Sequence, residues 1–303
     1  MGKQKMKGKR KVTFRRRNWD ADFYYDLLNG NGFVITEPAE MSLDGNKRKS
    51  LDGPQSPRYG TSYEDEHSFA ERCRCECGSF VGIMFKGEIC PLCGTVVEDK
   101  GSDINVTGWI SIGDNKVINP YYYNIFSKAI GTQVFPDIIT ARYKVNTDGH
   151  QEIATEEDGD FKPLSPYSGK GIDYFYDHYE EIIDYFKGVK KNKASSLDLL
   201  LKEKRKVFTS HFPIGSTLLR PQSITSDTFY FNSMDKEINT LFSLSENIKK
   251  CEYIERDYIL SRIQTRLNNM WDMYFDTLNL KEGFIRGEIL GGSLNFTARK
   301  RFA

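Results

Sequence analysis

Apolar positions recur along the 303 residues with two different periods, and each period predicts an element. Met234, Ile238, Leu241 and Ile248 fall on one helical stripe; Ile259, Ile263, Leu267, Met270 and Tyr274 fall on a second. A short polar stretch, Lys249 to Glu255, separates them, which predicts an antiparallel helical hairpin over 232–280. Its outer positions carry Lys236, Lys249, Lys250, Arg256, Arg262 and Arg266, so at least one side should face water. Ile172, Phe175, Tyr179, Ile182, Ile183 and Phe186 predict a core-facing helix, with Gly188 as its stop. Trp19 to Leu28 reads as a short helix ended by Asn29-Gly30, and Gly32 to Thr36 as a strand. Short strands are expected at Trp109–Ile112 and Lys116–Ile118 around a Gly113-Asp114-Asn115 turn, followed by an aromatic helix from Tyr121 to Ile130. Residues 46–60 read as an irregular connection, and 148–160, with six acids and no Lys or Arg, as an exposed loop. Residues 131–171 show little periodicity and are expected to fold only against other chains. The fold class is therefore α+β, with irregular elements.

One stretch has a chemical signature. Cys75 and Cys77, then Cys90 and Cys93, are separated by twelve residues, and Gly78 and Gly94 follow the two pairs. Two short cysteine turns facing each other offer four thiolates in a tetrahedron, the donor set of a structural zinc ribbon. Four protein ligands leave no open position, so such a metal folds the segment and catalyses nothing. Between the pairs, Phe80, Val81, Ile83, Met84 and Phe85 read as strand, and Lys86-Gly87 as a turn. Cys73 is the one alternative ligand to Cys75; Cys251 reads as an ordinary residue at a helix tip.

Charge changes the picture only through its distribution. Lys and Arg number 43 against 42 Asp and Glu, so net charge points to no particular partner. Residues 1–17, however, carry nine Lys or Arg and no acid, which reads as a solvated tail able to contact phosphates non-specifically. No run of 18 apolar residues exists, so no membrane span is expected, and no apolar stretch follows the basic start as in a signal peptide. Cysteines in a metal pattern fit a reducing, cytoplasmic compartment. In the string Asp20, Asp22, Asp26, the first two do not share a helical face and no glycine opens a loop, so first-turn acids are the better account than a magnesium site. His67, His150, His178 and His211 accompany no nucleophile motif. Near the end, Arg286, Arg299, Lys300 and Arg301 lie on a glycine-spaced segment suited to following a phosphate path.

Four landmarks, taken in order, resemble the N-terminal part of the largest subunit (β′) of multisubunit DNA-directed RNA polymerases. They are the four-cysteine ribbon; Gly108-Trp109-Ile110-Ser111-Ile112; Leu219-Arg220-Pro221; and the tail Lys281-Glu282-Gly283, Arg286-Gly287, Leu290-Gly291, Asn295-Phe296-Thr297-Ala298-Arg299. The resemblance spans about residues 50–303. It implies a clamp module: 1–70 as basic tail and N-terminal clamp part, 71–100 as zinc ribbon, 101–212 as clamp body, and 213–303 as lid-like segment, clamp helical hairpin and switch segment. It implies nucleic-acid contacts by Arg220, Arg286, Arg299, Lys300 and Arg301, and docking of a promoter-specificity factor on the hairpin tip, at Lys249, Lys250, Glu252 and Glu255. Implied partners are the remaining β′ fragment with the catalytic loop, β-like subunits, template DNA and the RNA–DNA hybrid.

Departures are informative. Gly292-Ser293 stand where the family has a Lys-Arg pair, no room is left for a rudder loop, and no Asp-Phe-Asp-Gly-Asp triad is present. The Mg²⁺ of the assembled enzyme would then be held by another chain, as in the split subunits of large bacteriophage polymerases, in the cytoplasm of an infected host. The alternative is a stand-alone zinc-ribbon DNA-binding transcription factor.

Overall fold

The computed structural model describes residues 17–38, 52–59, 73–75, 77, 79–99, 105–145, 151–153, 162–220, 223–225, 228–230, 232–251 and 253–279. It is a mixed α and β chain with long helices and small sheets.

Helix α1 (Trp19–Leu28) begins where the Asn18 side chain accepts the Ala21 N–H, and buries Trp19 and Phe23. Strand β1 (Gly32–Val34) follows. The metal-site strands are β2 (Cys73–Arg74) and β3 (Glu98–Asp99). Next come β4 (Thr107–Ser111), β5 (Val117–Ile118), α2 (Pro120–Ile130), α3 (Val134–Ile139), and a hairpin of β6 (Tyr143–Val145) with β7 (Gln151–Ile153). Helices α4 (Ile172–Asp177), α5 (Tyr179–Val189), α6 (Ala194–Lys202) and α7 (Lys204–Val207) lead into β8 (Phe208–Thr209) and β9 (His211–Ile214). A second hairpin, β10 (Ser223–Thr225) with β11 (Thr228–Tyr230), precedes α8 (Ser233–Ile248) and α9 (Tyr253–Asn279).

The central sheet has order β1-β4-β9: β1 runs parallel to β4, and β9 antiparallel to it. The two strands expected around Gly113 do not pair with each other. Each instead takes a partner about a hundred residues later, β4 with β9 and β5 with β8. Gly108 is required in β4 because the Tyr59 hydroxyl occupies the space a Cβ would need, and that hydroxyl donates to the Ile214 carbonyl at 3.1 Å. Residues 52–59 are irregular apart from a 3-10 turn at Pro57–Tyr59, and they bury Ser56 and Tyr59.

Helices α8 and α9 lie along each other, with Arg266 on α9 paired to Glu237 on α8 at 2.9 Å. All four α8 stripe residues are buried, as are Ile259, Ile263, Leu267 and Met270 of α9. The pair is docked on the body. The Gln264 side chain accepts the Ile118 N–H at 2.7 Å and donates to the Ile118 carbonyl at 2.8 Å, pairing with β5 as a strand would. Lys249 and Lys250, at the end of α8, are exposed, and Lys249 is paired with Glu246.

Three further expectations differ. Phe135, Ile138 and Ile139 of α3 are buried in this chain's own core, so the 131–171 stretch is not left waiting for other chains over those residues. Helical spacing over 172–186 is interrupted at His178, which separates α4 from α5. Gly188 lies within α5, which ends only after Val189, where the Lys190 N–H reaches the Phe186 carbonyl.

Candidate metal centre

The segment around the cysteines is built of turns closed by one short pair of strands. Strand β2 pairs with β3 in antiparallel register, Cys73 opposite Asp99, and this closes the segment. Phe80 to Phe85, expected as strand, instead form a turn and a 3-10 helix at Ile83–Phe85. The reason is local: the Cys75 N–H donates to the Phe80 carbonyl at 3.0 Å, and the Gly82 N–H to the Cys73 carbonyl at 2.8 Å. Those bonds fold the chain back immediately after the first cysteine pair. Gly87, at φ 91°, takes the left-handed turn that the Lys86-Gly87 pair implied.

The second cysteine pair sits at the tip of a small hairpin. Ile89 pairs with Val96, the Val97 N–H donates to the Glu88 carbonyl at 2.8 Å, and the Cys90 N–H to the Thr95 carbonyl at 2.9 Å. Gly94, at φ 71°, sends its N–H to the Cys90 carbonyl at 2.8 Å. A side chain there would be strained, because the left-handed region disfavours a Cβ.

These two turns bring four sulfurs together. The ligand atoms of Cys75, Cys77, Cys90 and Cys93 all lie within 4.8 Å of one another and could hold a metal ion. Cys75 and Cys77 sulfurs are 3.4 Å apart, and Cys77 and Cys90 sulfurs 3.7 Å apart. Tetrahedral thiolates at about 2.3 Å from a metal stand roughly 3.8 Å from each other, so the donor set fits. Cys73 is buried but outside this group. Its backbone belongs to β2, and its carbonyl is used by Gly82.

The surroundings bias the thiols. The Thr95 hydroxyl, 3.0 Å from Cys93 Sγ, and the Thr95 N–H pull that thiol down to about 5. Burial pushes Cys90 up to about 11. Burial also opposes ionisation of Cys75, but the Phe80 N–H, 3.3 Å from its sulfur, and neighbouring donors outweigh it and lower the thiol. A bound dication would override these differences, since its charge deprotonates coordinating thiols outright.

The other residues singled out in the sequence do not converge on a site. Arg220 is fully buried rather than facing a phosphate. It is ion-paired with Asp235 at the start of α8, donates to the Pro54 carbonyl at 2.7 Å and the Gly215 carbonyl at 3.1 Å, and lies over the Tyr59 ring. Its guanidinium is spent on joining three segments of the core, which corrects its assignment to nucleic acid. Arg286, Arg299, Lys300, Arg301 and Glu252 lie outside the described residues, as does the side chain of Glu255.

Asp20 is not a metal ligand but a junction. It accepts from the Ser210 N–H at 2.9 Å and the Thr209 hydroxyl at 3.0 Å, and pairs with His211 at 2.8 Å and Lys116 at 3.3 Å. Partial burial opposes its charge, yet these donors together bring it down to about 2. The His211 ring stacks on Phe23 at 3.8 Å, so the pair staples α1 to β9. Sequence reading missed this because the two residues are 191 positions apart. His178 places its Nδ1 3.2 Å from the Tyr174 carbonyl.

No helix among the described residues is long and apolar enough to cross a membrane. No protein-family model matches the chain, and no curated protein matches it at a significant level.

Proposed function

We propose that this chain is the clamp-forming, N-terminal portion of the largest subunit of a multisubunit DNA-directed RNA polymerase, with the catalytic aspartates on another chain. The observation that carries this reading is the order of the four sequence landmarks: cysteine ribbon, Gly-Trp-Ile strand, Leu-Arg-Pro, and the Lys-Glu-Gly switch-like tail. The ion at Cys75, Cys77, Cys90 and Cys93 is zinc in this reading, because four thiolates in a closed tetrahedral set suit a structural Zn²⁺. It stabilises its segment and takes no part in chemistry. Phosphoryl transfer needs Mg²⁺ on carboxylates in line with the attacking hydroxyl, and these come from the partner fragment. The end of α8 and the start of α9, with Lys249 and Lys250 exposed, is the place for a specificity factor, whose docking such charges would steer. Arg286, Arg299, Lys300 and Arg301 would contact template DNA and the RNA–DNA hybrid.

A stand-alone zinc-ribbon DNA-binding protein is the second reading, and one observation favours it. Helices α8 and α9 are packed into the core of the same chain rather than standing free of it.

One experiment separates the two. The tagged chain is purified in its native assembly and assayed for RNA synthesis on a DNA template. Activity that co-purifies with a second chain bearing an Asp-Phe-Asp-Gly-Asp triad supports the polymerase reading. A chain that purifies alone and binds DNA without making RNA supports the second. RNA synthesis by the isolated chain contradicts both.

A further inference from the structure

Residues 187–206 hold eight Lys or Arg against two acids, in a chain whose total is 43 against 42. This positive charge lies at the end of α5, in the link to α6, at the end of α6 and on α7. Part of it is neutralised locally. Lys187 bridges Asp184 at 3.1 Å and Asp198 at 2.7 Å, Lys206 reaches Glu203 at 3.3 Å, and Lys204 lies over the Tyr176 and Tyr179 rings. Lys190, Lys191, Lys193, Lys202 and Arg205 are exposed, and none makes an ion pair among the described residues.

Folding gives no reason for this arrangement. Helices α5 and α6 contact each other, and Ile182, Ile183 and Phe186 of the first and Leu197 and Leu200 of the second are buried. Lys190, Lys191 and Lys193 crowd the 3-10 link between the helices, where they repel one another and oppose the dipole at the start of α6. Nothing packed there needs them.

We propose that this edge binds the phosphate backbone of duplex nucleic acid, independently of sequence. Two groups of cations stand at the two ends of α6: Lys190, Lys191 and Lys193 before it, Lys202 and Arg205 after it. Nine residues of helix separate them, a rise of roughly 13 Å. A duplex major groove is about 12 Å wide and edged by two phosphate backbones, so one group can meet each edge. Four of the five are lysines, compact hydrated charges that suit phosphate attraction rather than base reading. The inference does not rest on the polymerase reading.

The test uses the full chain and a fluorescent duplex of arbitrary sequence, titrated over a range of salt. Changing Lys190, Lys191 and Lys193 together to Gln should weaken binding about tenfold or more near 0.1 M salt. It should also lower the slope of log affinity on log salt by up to about 2.7, at roughly 0.9 per contact. The corresponding triple change to Arg should keep the wild-type slope, and an unchanged melting temperature in both variants shows that the fold is intact. Lys128→Gln with Lys162→Gln, exposed lysines elsewhere, should leave the slope within error. Equal effects of the two Gln sets, or none from the triple, overturn the proposal. Binding of polyglutamate that depends on the three lysines, with duplex binding unaffected by them, also overturns it and assigns the edge to an acidic protein.

Discussion

Around the four cysteines the buried apolar residues are Cys73, Cys75, Cys90 and Val97, whereas the body of the chain buries forty among its described residues. The cysteine segment leaves Met84, Ile89 and Leu92 largely in water, at 79%, 66% and 71% exposure. In the body, Trp109, Tyr122, Phe126, Phe135 and Phe175 are buried almost completely and packed ring against ring. A segment this short cannot remove enough apolar surface from water to offset the entropy of ordering it. It needs a cross-link of another kind, and four converging sulfurs provide the place for one. The body needs none, and its few buried polar groups fix which segments meet.

Ways to break this contrast can be ranked by expected size. The largest effect belongs to Cys90→Ser. Losing one of four ligands should remove the proposed zinc and unfold 73–99 as a unit, while the main thermal transition of the chain stays in place. Metal content by mass spectrometry, with circular dichroism on the same sample, checks both halves.

Next is Arg220→Ala, which leaves Asp235 buried without its partner and strands the Pro54 and Gly215 carbonyls. Breaking a buried pair on one side costs about 3–5 kcal/mol. Denaturant unfolding should show that loss in the body with zinc content unchanged.

The smallest effect concerns Asp20. Its folded-state pKa, about 2, lies below the unfolded carboxylate value near 3.9, so it stabilises the fold above that value. That stability is lost as pH falls from about 4 to about 2. Asp20→Asn should cost roughly 2 kcal/mol at neutral pH, and the gap to wild type should close across this window. Stability measured against pH for both proteins tests the sign.

What the sequence made legible follows the same division. The metal set was readable because ligands two or three residues apart declare themselves in a linear string. Helix α1 was readable from its Asn29-Gly30 end, and the α8 and α9 stripes from their spacing. The strand expected over Phe80–Phe85 failed because the bonds from Cys75 to Phe80 and from Gly82 to Cys73 turn the chain back there, and the string shows no sign of them. The pairings of β4 with β9 and β5 with β8 were invisible because their partners are about a hundred residues away. Arg220 was assigned to nucleic acid through the Leu-Arg-Pro resemblance, and the string carries no sign of Asp235, fifteen positions on and buried beside it.

The most direct measurement is hydrogen exchange on the full chain before and after chelation of its metal. The account predicts one zinc per chain, and rapid exchange at the Cys90, Gly94 and Val97 amides once it is removed. Amides of Ile263 to Met270 on α9 should stay protected, since the core that shields them contains none of the metal ligands. Absence of zinc, or loss of protection in α9 together with the cysteine segment, would contradict it.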